Sequence, residues 1–159
     1  LKKHLANLRN TQNLGRALFA ALLLALTTPS FARLGEPETL IKAEATQLGA
    51  SLLEERTATH KIVTLDTPAE LRIRQWVNAQ GRVFAITWAG PVMPDLAQLL
   101  GRHYTAFREA AERGHSTRSA VRLDTPEVVI ESAGRMRAFR GRAFCPPMLP
   151  AGVRPEDIR

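Results

Sequence analysis

Hydrophobic and polar positions change their period several times along this chain. From Arg82 to Trp88 the residues are apolar and β-favouring, with Phe84, Ile86 and Trp88 on one face and Val83, Ala85 and Thr87 on the other. One face is heavy and the other light, which predicts a strand covered by helices on its heavy side. Gly90 and Pro91 end it, since proline cannot donate to a ladder and glycine permits a backbone reversal. Pro94 suits the first turn of a helix, and Asp95 places negative charge at its positive end. Leu96, Leu99, Leu100, His103 or Tyr104, Phe107, Ala110 and Ala111 then recur at spacings of three and four, an apolar stripe along about five turns, with Gly114 as its stop. Gly101 inside that helix costs roughly 1 kcal/mol relative to alanine and marks a place where another backbone approaches.

Upstream, Ile41, Ala45, Leu48 and Leu52 repeat at helical spacing and predict a first helix ending near Glu54. His60 to Leu65 alternates, Asp66 to Pro68 turns, and Leu71, Ile73, Gln75 and Val77 oppose Arg72, Arg74, Trp76 and Asn78 in a half-buried strand. With the Arg82 to Trp88 strand these make an antiparallel meander, because the connections are too short for parallel crossovers. Downstream, short strands are predicted at Ala120 to Leu123, at Glu127 to Ser132 and, after a turn at Gly134, at Met136 to Phe144 with a bulge at Gly141. Pro146, Pro147 and Pro150 fix an extended tail that cannot be a central strand. The expected fold is α+β: helix, three strands, helix, three strands, an antiparallel sheet of about six strands with helices packed on one face.

The first 32 residues follow another logic. Lys2, Lys3, Arg9 and Arg16 form a basic start without acidic residues, Ala17 to Leu26 is continuously apolar, and Ser30, Phe31 and Ala32 supply the small residues of a cleavage site. This predicts a secretory signal peptide cut after Ala32, leaving residues 33–159 as one domain in the periplasm or outside the cell. The apolar run has about half the length a membrane-spanning helix requires. Charge then changes meaning: four of the 22 Lys and Arg leave with the leader, and the remaining 18 face 15 Asp and Glu, a formal +3 in place of +7. That balance, with export and no recognition motif, argues against a nucleic-acid partner. Cys145 is the only cysteine, so residues 33–159 hold no internal disulfide; a buried inert thiol and an intermolecular or reactive one are both open.

With these segments placed, the chain resembles a family of bacterial exported proteins known as domain of unknown function 2844. The likeness rests on Leu34 and Gly35, on VFAITWAGPVMPDLAQLLG from Val83, on GRMRAFRGRAF from Gly134 and on LPAGVRPEDIR from Leu149. It departs from the pattern at Glu36, where a second glycine is expected, and at Cys145, where an aromatic residue is. The resemblance implies export and one compact domain; it implies no reaction, cofactor or catalytic residue.

Candidate chemistry is sparse. His60, His103 and His115 form no metal-ligand spacing, the serines lie in no nucleophile elbow, and no glycine loop suits a phosphate. Trp88 and Tyr104 read as core rather than stacking platforms. The concentrated signal is Arg135, Arg137, Arg140 and Arg142 within eight residues. On a strand, Arg135 and Arg137 share a face, as do Arg140 and Arg142, and a bulge would bring all four together. Guanidinium forks bind carboxylate and phosphate, so anionic lipid, acidic glycan or an acidic envelope protein are the partners to expect; a solvated face pairing with Glu127 and Glu131 is the plain alternative. Two readings follow. One is a non-catalytic binding or assembly-accessory module of the envelope that uses these arginines and the corner of Gly90, Pro91, Pro94 and Asp95, without a cofactor or metal. The other is an envelope hydrolase, which requires His60 or His103 within hydrogen-bond reach of a carboxylate.

Overall fold

The computed structural model describes residues 33–113 and 120–159; the expected leader, the expected helix stop at Gly114 and His115 lie outside them. The chain runs α1 (Ile41–Leu48), β1 (Ser51–Arg56), β2 (His60–Asp66), β3 (Arg72–Asn78), β4 (Val83–Gly90), α2 (Leu96–Leu100), α3 (Tyr104–Arg113), β5 (Ala120–Asp124), β6 (Val129–Arg135) and β7 (Ala138–Phe144). The strands form one sheet in the order β1-β2-β3-β4-β7-β6-β5, antiparallel throughout.

The fold is thus α+β, but the six-stranded order is corrected: four strands precede the second helix and three follow it. The extra strand comes from the end of the expected first helix. Gly49 takes a left-handed φ of 59°, and its N–H closes on the carbonyls of Ala45 and Thr46, which ends α1 at Leu48. Ser51–Arg56 then pairs along its whole length with β2. Leu52 keeps helical spacing only by coincidence.

The expected heavy face of β4 is also corrected. Trp76 pairs with Ala85 and Val77 with Val83, so Phe84 is the extra residue of a bulge. Phe84 and Ala85 join Ile62, Trp76, Val129, Phe144 and Ile158 on one face, while Ile86 and Trp88 join the helices on the other. Val83 to Trp88 are consequently buried on both faces. On the helix face, Ile41 and Ala45 of α1, Leu99 and Leu100 of α2 and Phe107 of α3 pack on Val63, Leu65, Ile73, Ile86, Trp88 and Ile130. The opposite face is covered by the proline-rich tail, through Ile158 with Met148, Leu149 and Val153.

The second helix is broken where a continuous one was expected. Gly101 has φ 54° and ψ −124°. A Cβ there would lie 2.9 Å from Cδ of Arg33, so what approaches is a side chain rather than the backbone expected, and the neighbouring Leu34 N–H donates to the Leu99 carbonyl at 3.1 Å. Asp95 is the N-cap, its carboxylate accepting from the Gln98 N–H at 3.0 Å, and Pro94 precedes it rather than lying in the first turn. Gly90 ends β4 without a positive φ; a Cβ on it would stand 2.8 Å from the Glu70 carbonyl oxygen.

The bulge at Gly141 is absent, since β7 keeps an unbroken register with both neighbours. Glycine is required for another reason: a Cβ there would lie 2.2 Å from Cζ2 of Trp88 and 2.6 Å from the Glu131 carbonyl oxygen. Gly134, expected at a turn, is inside β6, with the Phe139 ring across it; the turn is one step on, at Met136 and Arg137.

One charged group is buried in the helix-face core. Glu44 of α1 is 0% exposed, and the Gln75 amide donates to its Oε2 at 2.6 Å. Glu44 Oε1 and Gln75 Oε1 have no partner, so a proton on Glu44 would supply the missing donor. Burial pushes the Glu44 carboxyl up to about 7, against a smaller opposing pull from Gln75.

Two outcomes are expected. A folded-state value above the unfolded one stabilises fully below about pH 4.5 and loses that stabilisation as pH rises to about 7, by about 3 kcal/mol. Glu44→Gln should therefore raise the urea midpoint at pH 8 and flatten the difference between pH 5 and pH 8; an unchanged pH profile in the variant refutes the assignment. Gly141→Ala should cost about 3 kcal/mol by overpacking, and Trp88→Leu in that background should recover part of it, read as a non-additive double-mutant cycle in urea.

Candidate functional site

Antiparallel partners point to the same side of a sheet, so register alone places residues from distant parts of the chain in rows. On the tail face, one row reads Arg74, Thr87, Arg142, Glu131 and Arg122 across β3, β4, β7, β6 and β5. The next reads Arg72, Ala89, Arg140, Ala133 and Ala120. The tail reaches only the first row, at Arg74 and Arg142, and the two rows line an open groove of about 740 Å³ bounded on the tail side by Ile158 and Arg159. Its floor is alanine, threonine and glycine. Its rim is guanidinium.

Four of the five arginines have defined partners. Arg142 is half-buried: its Nε donates to Glu131 Oε2 at 2.7 Å, its Nη1 to the Pro155 carbonyl at 2.7 Å, and its Cζ lies 5.8 Å from the Phe144 ring centre. Arg122 donates to the other Glu131 oxygen and, at 2.7 Å, to Asp124. Arg72 holds Asp66 with two donors, at 2.6 and 3.3 Å. Arg74 donates to the main-chain oxygen of Arg159 at 2.8 Å and lies over Trp76. Arg140, exposed, has no ion pair or hydrogen bond among the described residues. Glu131 carries the burden of two guanidiniums; the bond from Arg142, above all, holds its carboxyl below the ordinary range. Five guanidiniums thus meet three carboxylate side chains, and the groove keeps a positive surplus.

The four arginines singled out in the sequence divide into two pairs. Arg140 and Arg142 line the groove. Arg135 faces the same side by its pairing with Ala138 but lies beyond the groove, and Arg137 occupies the hairpin turn with φ 61°. Of the expected acidic partners, Glu131 bonds Arg142, whereas Glu127 makes no ion pair among the described residues. Sequence reasoning missed Arg72, Arg74 and Arg122. Their alternation was visible, but nothing local says that β7 inserts beside β4. At the corner, Gly90, Pro94 and Asp95 serve packing and capping, and Pro91 is half-buried.

The histidines do not meet the requirement of the hydrolase reading. His60 Nδ1 is 3.1 Å from Thr57 Oγ1 and 2.9 Å from Thr59 Oγ1, and its ring stacks on Trp76. His103 is buried, its Nε2 accepting from Arg102 Nε at 3.3 Å. Burial lowers both below the ordinary histidine value, and for His103 the neighbouring Arg102 adds to this while Glu127 opposes it. Neither hydrogen-bonds a carboxylate. Cys145 is buried in the helix-face core, where desolvation pushes its thiol up and disfavours the reactive thiolate. Among the described residues, no group of three or more His, Cys, Asp or Glu is placed to hold a metal ion, and no helix is long and apolar enough to cross a membrane.

Comparison with known proteins gives one match and two blanks. Neither the curated proteins nor the solved structures include a match to this chain. One family model, described as "Protein of unknown function (DUF2844)", matches residues 30–158, which takes in every strand and helix described above. The chain belongs to the DUF2844 family of proteins of unknown function.

Proposed function

We propose that this protein is an exported, non-catalytic module of the bacterial cell envelope that holds an anionic ligand or partner in the arginine groove of its tail face. The export part rests on the basic start, apolar run and small-residue site of residues 1–32. The binding part rests on Arg140, a guanidinium without an ion pair or hydrogen bond among the described residues, standing over an alanine floor beside four other arginines. Arg142 and Arg72 are held in place by Glu131 and Asp66, so part of the site is ordered before a ligand arrives. A carboxylate or phosphate bound by the fork of Arg140 would place its apolar portion over Ala89, Ala133 and Ala120. Lipid phosphate, an acidic glycan and an acidic segment of an envelope protein share this chemistry.

Two measurements test the reading. The mass of the chain recovered from the periplasm should begin at Arg33; recovery of the uncut chain in the cytoplasm would reject the leader. The same protein titrated calorimetrically with octyl phosphate or octanoate should bind, while the uncharged octyl glucoside should not. Arg140→Ala should weaken binding at least tenfold, the loss of a charge-assisted hydrogen bond, and Arg137→Ala should leave it within about twofold. Equal affinity for the uncharged amphiphile, no binding of either anion, or indifference to Arg140→Ala overturns the groove.

A further inference from the structure

We propose that the end of the sheet carrying the β6–β7 hairpin tip is a docking surface for an anionic lipid bilayer, separate from the groove. β4 and β7 are neighbours whose last pair at this end is Gly90 with Phe139. Beyond that pair, one strand leads into Pro91, Val92 and Met93 and the other comes from the turn of Met136 and Arg137. Two loops distant in sequence therefore emerge side by side. Val92 is 41%, Met93 42% and Met136 93% exposed, three of the five large apolar side chains most open to solvent among the described residues. The other two, Leu52 and Leu53, are on the edge strand β1.

Charge accompanies this apolar tip. Arg135 and Arg137 flank Met136, and neither has an ion pair among the described residues. The hairpin from Ser132 to Gly141 contains no carboxylate. Glu70 and Asp95 also lie at this end, but on the β2–β3 turn and at the start of α2, and Asp95 is engaged as a cap. Arg137 has φ 61°, a left-handed conformation that favours glycine or asparagine, yet the chain keeps a long cationic side chain there. A fully exposed methionine held between two guanidiniums on a tight turn suits an interface where thioether enters the acyl region and the charges stay at phosphate depth.

The interaction is expected to be reversible and sensitive to salt, since a few side chains and two or three charges carry it. The protein should co-sediment with vesicles of phosphatidylglycerol mixed with phosphatidylcholine and stay in the supernatant with vesicles of phosphatidylcholine alone. Arg135→Ala with Arg137→Ala should lower partition at least tenfold, and Met136→Ser should lower it several-fold. These residues are exposed, so the variants should keep the parent urea midpoint. Arg56→Ala, an exposed arginine on the edge strand β1 at the other end of the sheet, should leave partition within about twofold, which separates the tip from a general effect of net charge. Equal binding to uncharged vesicles, retention of binding in the tip variants, or an equal loss with Arg56→Ala overturns the proposal. So does an absence of partition with a soluble protein partner captured through the tip.

Discussion

The indole of Trp88 lying across Gly141 is the contact on which this architecture turns. It lies at the seam between β4 and β7, the one place where the first four strands meet the last three. β4 is buried on both faces, so water cannot repair a poor fit there. A slip of one residue in this register would exchange the faces of every side chain on β7. Arg142 would then enter the helix-face core without Glu131 or the tail carbonyls, and an unpaired buried charge costs several kcal/mol. The notch left by glycine, filled by the largest side chain of the core, therefore fixes the register, and the register fixes which arginines meet.

That constraint has a second consequence, because a sheet with two apolar faces needs two covers. The helices supply one. The other is the tail, two short 3-10 turns at Pro146–Met148 and Pro155–Asp157 where an extended segment was expected, and it is held by Ile158 in the core and by the Arg142 guanidinium on the Pro155 carbonyl. The tail reaches only the edge of the groove, whose floor beyond Thr87 is mostly alanine. Small side chains bury too little surface to retain a cover, so the groove is the part of this face that folding alone has no reason to close.

Much of this was legible in the sequence. Alternation placed β2 and β3 and put Arg72, Arg74 and Trp76 on one face, and the stripe of Leu99, Leu100 and Phe107 marked the buried side of α2 and α3. The errors have local causes. Leu52 satisfied a helical period that Gly49 had already ended by its left-handed φ. Phe84 satisfied a strand period that a bulge reset by one residue. Gly141 was read as conformational freedom, whereas its lack of a side chain was what mattered. The arginine cluster within eight residues was visible, but its division between groove and tip depended on where a two-residue turn falls. The contribution of Arg74 and Arg122 depended on strand order, which period and composition do not encode.

The tail also shows what the groove's guanidiniums accept. Arg142 donates to the main-chain oxygen of Pro155 and Arg74 to that of Arg159, so two members of one arginine row already bind oxygen acceptors arriving from the tail side. The Pro155 carbonyl carries only partial charge. A carboxylate or phosphate presents a full charge and a second oxygen to the same donors, and charge-assisted bonds are roughly twice as strong as neutral ones. Arg74 has one main-chain acceptor to surrender, whereas Arg142 is anchored by Glu131 as well. The three arginines are therefore held to different degrees: Arg142 is tied to both Glu131 and the tail, Arg74 holds one main-chain oxygen of the tail, and Arg140 has no ion pair or hydrogen bond among the described residues, an order in which the groove as proposed would yield its donors.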